Sequence, residues 1–325
     1  MEYVNKQLAF LKANVNNLTI DADTHISDIE NLNEKLLKKL HSTRNYYHGK
    51  PISAEELLWE MQASGVDMCL TWQNPAATVY KSNKKENFEA LLKANTYIFE
   101  SASKYPEKFI PAGWTDPKAL ETEDALKLAE ICVNEFGFKI IKLNPAQNEF
   151  MLDSNDVVKV FEKIYSLGAI PAFHFAADTP YTPVSALEKL AINFAGKPLL
   201  AVHMGGGGSS YTEGEKIYDA ARKIGLEYSN IKYIQSAKRD THMESDFIRY
   251  QIAGEPYSKN IFCASDAPYG RQSWNFGGFK AMFKTLIHED SHQDKRVEEN
   301  KKVFNDEMQK NFLGRNFAEF YLGLH

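Results

Sequence analysis

Eight short runs that are almost continuously apolar, each followed by a longer amphipathic stretch, set the strongest limit on what this chain can fold into. They are residues 18–23, "VDMCLTW" (66–72), "FIPAGW" (109–114), "FKIIKLN" (138–144), "IPAFHF" (170–175), "PLLAVHM" (198–204), "IKYIQS" (231–236) and "NIFCASD" (260–266). Strands that alternate apolar and polar residues have one wet face, whereas unbroken apolar runs of this length belong to strands covered on both faces, as in a parallel sheet. The intervening segments carry helical patterns. "DALKLAEICVNEF" (124–136) and "NDVVKVFEKIYSLG" (155–168) are two of them, the latter opening on Asn or Asp and ending on Gly168. Eight strand–helix units in 325 residues predict an α/β protein whose single domain, residues 1–325, is a (β/α)8 TIM barrel.

One connection exceeds what a barrel requires. Residues 26–65 hold "NLNEKLLKKLH", then "RNYYHGKP", then "SAEELLWEMQASG", in which Ser53 and Glu56 fit a capping box and Gly65 a helix stop. An elaborated loop after strand 1 is where a lid or specificity wall over an active site is expected.

The polar residues at the carboxyl ends of the runs point to chemistry. "TIDADTHISD" places Asp21, Asp23 and His25 at every second position, on one face of a regular strand. Lys142 and Asn144 follow in the fourth run, His174 in the fifth, His203 in the sixth and Asp266 in the eighth. Each has an ordinary reading by itself: a histidine ending an apolar run is commonly a satisfied core residue, Asp266 in "ASDAPYG" suits a turn or cap, and Asp21 suits an acceptor that orients a ligand. A barrel, however, gathers all these ends on one face, where independent caps have no reason to converge. Two imidazoles and one or two carboxylates with an open position would suit one divalent ion, zinc ahead of manganese or iron.

Two other motifs read as decoys. "HEDSH" (288–292) matches H-E-x-x-H but sits in a segment that is polar on every side. Gly205–Gly208 lacks the Gly-Lys-Ser/Thr ending of a phosphate loop, and its glycines are read as letting backbone pass close behind His203.

The stretches "TIDADTHI", "IPAFHF", "LLAVHMGGGG" and "NIFCASDAPYG", with the C-terminal "FLGRNFAEFYLGLH", resemble in order and spacing the amidohydrolase superfamily. The likeness is to the amidohydrolase-related group that contains aminocarboxymuconate-semialdehyde decarboxylase. The resemblance implies a metal site at Asp23, His25, His174 and Asp266, with an aspartate where the family's first histidine stands, and catalytic roles for Asp266 and His203. Lys142 falls where binuclear relatives carry a carboxylated lysine, but "KLNP" resembles the mononuclear group. One metal is therefore expected, with Lys142, Arg44, Trp72 and Trp114 as substrate contacts and a homodimer as an option.

The expected activity is hydrolysis of a small ester, lactone or amide by water activated at the metal. The alternative is non-oxidative decarboxylation of a small aromatic or muconate-like carboxylate, and the third reading is a metal-free small-molecule binding barrel. A net charge of -5 without basic runs argues against nucleic acid, and no window nears the ~18 apolar residues of a membrane span. Cys69, Cys132 and Cys263, each in an apolar setting, read as free thiols of a reducing compartment; with no secretory leader in view, the cytoplasm is expected.

Overall fold

The computed structural model describes residues 1–42, 49–207, 211–238, 240–289 and 291–324, without the side chains of 211–215. Nine parallel strands follow the eight expected runs: β1 (Ile20–Ile26), β2 (Met68–Gln73), β3 (Phe109–Pro111), β4 (Gly113–Trp114), β5 (Ile140–Leu143), β6 (Ile170–Ala176), β7 (Leu199–Gly205), β8 (Ile231–Gln235) and β9 (Ile261–Cys263). The extra strand arises because the third run is divided at Ala112. Its first half pairs with β2, Ala112 N–H continues that ladder to the Thr71 carbonyl at 3.0 Å, and only Gly113 and Trp114 turn to pair with β5. Asn95, in the helix Lys84–Lys104, receives Trp114 N–H at 2.8 Å and donates to its carbonyl at 2.9 Å, which fixes the break.

The strands thus form two hydrogen-bonded arcs, β1-β2-β3 and β4 through β9 in sequence order. The ring closes between its ends by a bridge from Thr24 to Ala267, with His25 N–H donating to the Ala267 carbonyl at 2.7 Å. A (β/α)8 barrel is the result. Helices Thr122–Asn134 and Asn155–Ser166 occupy the segments predicted for them, and Ser53 and Glu56 form the capping box of the helix Ala54–Ser64, ended by Gly65 at φ 63°. All three cysteines are buried and unbridged. No helix among the described residues is long and apolar enough to cross a membrane.

The amino-terminal helix Glu2–Asn14 packs beside the start of β3, where Gln7 Nε2 donates to the Phe109 carbonyl at 2.5 Å. "HEDSH" straddles a helix end: His288 closes the helix Gln272–His288, and His292 lies 3.6 Å from Glu244. Asp290 of that motif lies outside the described residues.

Gly270 shows how tightly the loop after β9 is wound, since a Cβ there would lie 2.0 Å from the Ser265 carbonyl oxygen. Gly270→Ala is therefore expected to destabilise the fold by about 2 kcal/mol or more in a denaturant titration. Gly277→Ala, in an exposed helical position with nothing within 4 Å of its Cβ, should stabilise by roughly 0.5–1 kcal/mol.

Candidate metal centre and substrate cavity

β1 does not alternate strictly. Between Asp21 and Thr24 it carries one residue more than β2, a bulge that separates the two carboxylates the regular pattern would place together. Asp21 accepts from Ser265 N–H (2.9 Å), Ser265 Oγ (2.5 Å), Gln272 Nε2 (2.8 Å) and Asp23 N–H (3.2 Å). Burial still raises its pKa to about 7 against those donors. It holds the segment before Asp266 and does not face the cavity. Asp23 accepts from Trp72 Nε1 (3.0 Å) and Ser236 Oγ (2.9 Å), with Lys142 Nζ at 3.6 Å.

Asp23, His25 and Asp266 each turn one donor atom to a common point, and the three atoms lie within 4.8 Å of one another. His25 Nε2 is 3.5 Å from Asp23 Oδ1 and 3.4 Å from Asp266 Oδ1. His25 Nδ1 lies 2.8 Å from the Gln73 carbonyl, which can only accept, so Nδ1 carries the proton and Nε2 the lone pair. The same logic fixes His203. Ser236 gives its one hydroxyl proton to Asp23, so it accepts from His203 Nδ1 at 2.8 Å and leaves Nε2 unprotonated.

The backbone bends to make this arrangement. β7 carries one extra residue opposite β6 near His203, and His203 and Met204 take left-handed φ values of 79° and 46°; Asp266 does the same at 57°. Each such conformation costs of order 1 kcal/mol or more for a residue with a Cβ, and such costs concentrate at functional sites. Gly206 permits the turn, because a Cβ there would sit 2.7 Å from the Ala237 carbonyl oxygen.

Burial would raise the Asp23 pKa, but Lys142 first, then His203 and His25, hold it down at about 2. Asp266 moves well above the carboxylate range through burial and through the charge of Asp23, against Lys142 and His174. Burial, reinforced by Lys142 and opposed by Asp23, lowers His25 to about 4; burial and His174 lower His203 to about 3. Both imidazoles are neutral near pH 7 with lone pairs to offer. A divalent ion between Asp23 and Asp266 would relieve the repulsion of the two carboxylates, so the donor set fits such an ion. Burial also lowers the Lys142 pKa, whereas Asp23, Asp266 and the face of Trp72, 3.8 Å from Nζ, favour its ammonium form.

A cavity of about 630 Å³ opens above, with His25, Lys142, His174, His203 and Asp266 at its closed end. Its outer wall includes Lys35, from the helix Glu34–Ser42 in the long first loop, together with Tyr80, Gln147, Asn148 and Tyr269. Of the residues expected from sequence, His174 reaches this cavity but donates from Nε2 to Asp178 at 3.0 Å and stands outside the three-atom group. Trp72 and Trp114 are fully buried behind Lys142 rather than lining the cavity, because both belong to barrel strands whose side chains pack inward. Arg44 lies outside the described residues. Sequence reasoning missed Asp178, Tyr269 and Ser236. Ser236 was open to the same rule as the others, since it is the last residue of the run 231–236.

A family model described as amidohydrolase matches residues 20–321. The chain belongs to that family. A search of curated proteins found no match. Among solved structures, the chain is similar to 5-carboxyvanillate decarboxylase from Novosphingobium aromaticivorans complexed with manganese and 4-hydroxy-3-methoxy-5-nitrobenzoic acid, at 14% identity and a TM-score of 0.65, covering 95% of this chain and 97% of that one. It is also similar to 2,6-dihydroxybenzoate decarboxylase complexed with 2,6-dihydroxybenzoate, at 15% identity and 0.59, covering 88% and 99%. A third is 4-oxalomesaconate hydratase from Rhodopseudomonas palustris, at 15% and 0.55, covering 94% and 98%. At these identities the likeness is one of fold.

Calorimetric titration of the protein with Mn²⁺ or Zn²⁺ is expected to show one site per chain, abolished in Asp23→Asn and Asp266→Asn. Ser236→Ala, which removes only the group orienting Asp23 and His203, should weaken binding by roughly tenfold to a hundredfold.

Proposed function

We propose that this protein is a metal-dependent, non-oxidative decarboxylase of a small aromatic carboxylate. The observation that carries the reading is Lys142, a cation buried at the closed end of the cavity beside the donor trio. As ligands of a divalent ion Asp23 and Asp266 would both be ionised, two negative charges beside the one positive charge of Lys142. A divalent ion would bring the set to a net positive charge, which a monoanion neutralises and a neutral ester or lactone does not. Decarboxylases among the similar structures, one of them holding manganese, support the same reading, and the hydrolysis expected from sequence is the less supported of the two.

Asp23, His25 and Asp266 would hold the ion, with His174 as a fourth candidate if its ring leaves Asp178. When bound, the ion supplies Lewis-acid binding of the substrate's carboxylate and a neighbouring oxygen. Lys142 Nζ pairs with the substrate anion and fixes the ring. His203 Nε2, unprotonated, accepts a hydrogen bond from a substrate hydroxyl and orients it. Asp266 takes one proton from solvent and hands it to the ring carbon that bears the carboxylate. The carbon–carbon bond then breaks, its electron pair returns to the ring, CO₂ leaves, and Asp266 is again a carboxylate.

The test is CO₂ release from a panel of hydroxybenzoates by Mn²⁺- or Zn²⁺-loaded protein, beside hydrolysis of small esters and lactones. Decarboxylation is expected, with kcat/KM falling by roughly a hundredfold in Lys142→Met and at least as much in Asp266→Asn. Ester or lactone turnover with no CO₂ from any carboxylate would sink the reading.

A further inference from the structure

Beneath His203 lies a set of charges that the reaction does not use. Asp246, on the helix Asp240–Ala253, has no solvent exposure and pairs with two buried cations: Arg222 Nε and, at 2.7 Å, Lys238 Nζ. Its carboxylate also accepts from Gln235 Nε2 at 2.5 Å. Gln235 ends β8 and Lys238 lies three residues on, so one carboxylate holds both ends of the short segment that carries Ser236. Lys238 makes a further bond. Its Nζ donates to the Met204 carbonyl at 3.1 Å, within the left-handed turn that His203 opens.

We propose that Lys238 is a positioning residue for His203: its ammonium, balanced by Asp246, holds the Met204 carbonyl and keeps the strained His203–Met204 turn in the one geometry that presents Nε2 to the cavity. Two consecutive residues with side chains at positive φ revert to ordinary conformations unless something over-determines them. A side-chain ammonium reaching the carbonyl of the second residue does this, while Ser236 accepts the Nδ1 proton of His203. Both contacts trace to Asp246. Burial and Arg222 disfavour the charge of Lys238, and Asp246, with the face of Tyr218 4.7 Å from Nζ, supports it.

The inference concerns the placement of His203 and rests on the decarboxylase reading only for its kinetic arm. Two variants separate positioning from general stability. Lys238→Met leaves Asp246 paired with Arg222, and Arg222→Met leaves it paired with Lys238, so each keeps a neutral buried pair and is expected to fold. In protein labelled with ¹⁵N-histidine, with His203→Gln used to assign the ring, the wild type should carry its proton on Nδ1 and its lone pair on Nε2. Lys238→Met is expected to move the His203 ring resonances toward a mixture of tautomers and to lower kcat roughly tenfold or more with little change in KM. Arg222→Met should leave both at the wild-type level. An unchanged His203 pattern in Lys238→Met, or an equal change in Arg222→Met, overturns the proposal. The ring resonances need no turnover, so they decide the point even if the protein decarboxylates nothing.

Discussion

A carboxylate with no access to solvent keeps its charge only if neighbouring groups replace the water it has lost, and Asp23 is such a carboxylate. The replacements come from around the whole ring. Trp72 arrives on β2, Lys142 on β5 and Ser236 just after β8. One side chain thereby fixes the angular positions of much of the barrel mouth. It also fixes two proton locations, because the hydroxyl of Ser236 has a single proton and gives it to Asp23. The protonation state of His203 is thus set one residue away from the imidazole itself.

Much of the fold was legible in the sequence because burial on both faces leaves a mark in composition: eight apolar runs became the barrel strands, several within two residues of their expected ends. What periodicity could not show were the departures from regularity. The bulge between Asp21 and Thr24, the left-handed turn at His203 and the division at Ala112 leave no trace in an apolar run, yet they decide which way each polar group points. Asp21, Asp23 and His25 share a face only in a regular strand. The bulge instead gives Asp21 to Ser265 and Gln272, as a support for the loop that carries Asp266.

The candidate site was legible to the extent that it follows one geometric rule, that strand ends of a barrel meet on one face. Asp23, His25, Lys142, His174, His203 and Asp266 obey it and reach a common cavity or its floor. Trp72 and Trp114 obey it too but point inward, and their role is to enclose the Lys142 ammonium between aromatic faces. Asp178 was out of reach for another reason. It lies beyond the end of β6, and only the path of the loop brings it back to His174.

The two-arc construction bears on how the molecule breathes. β1 and the segment after β9 are joined by little backbone pairing, and the Asp21 carboxylate clasping the Ser265 N–H and hydroxyl is a large part of what keeps the ring shut. A barrel joined at this point by one bridge and a few side-chain bonds has a seam there, and partial openings follow a seam at lower free energy than they cut through an intact ladder. Asp23 and His25 lie on one lip of that seam and Asp266 on the other. Any opening of the ring along this seam would draw the three donor atoms apart, and amide exchange at Thr24, His25 and Ala267 is where it would first be visible.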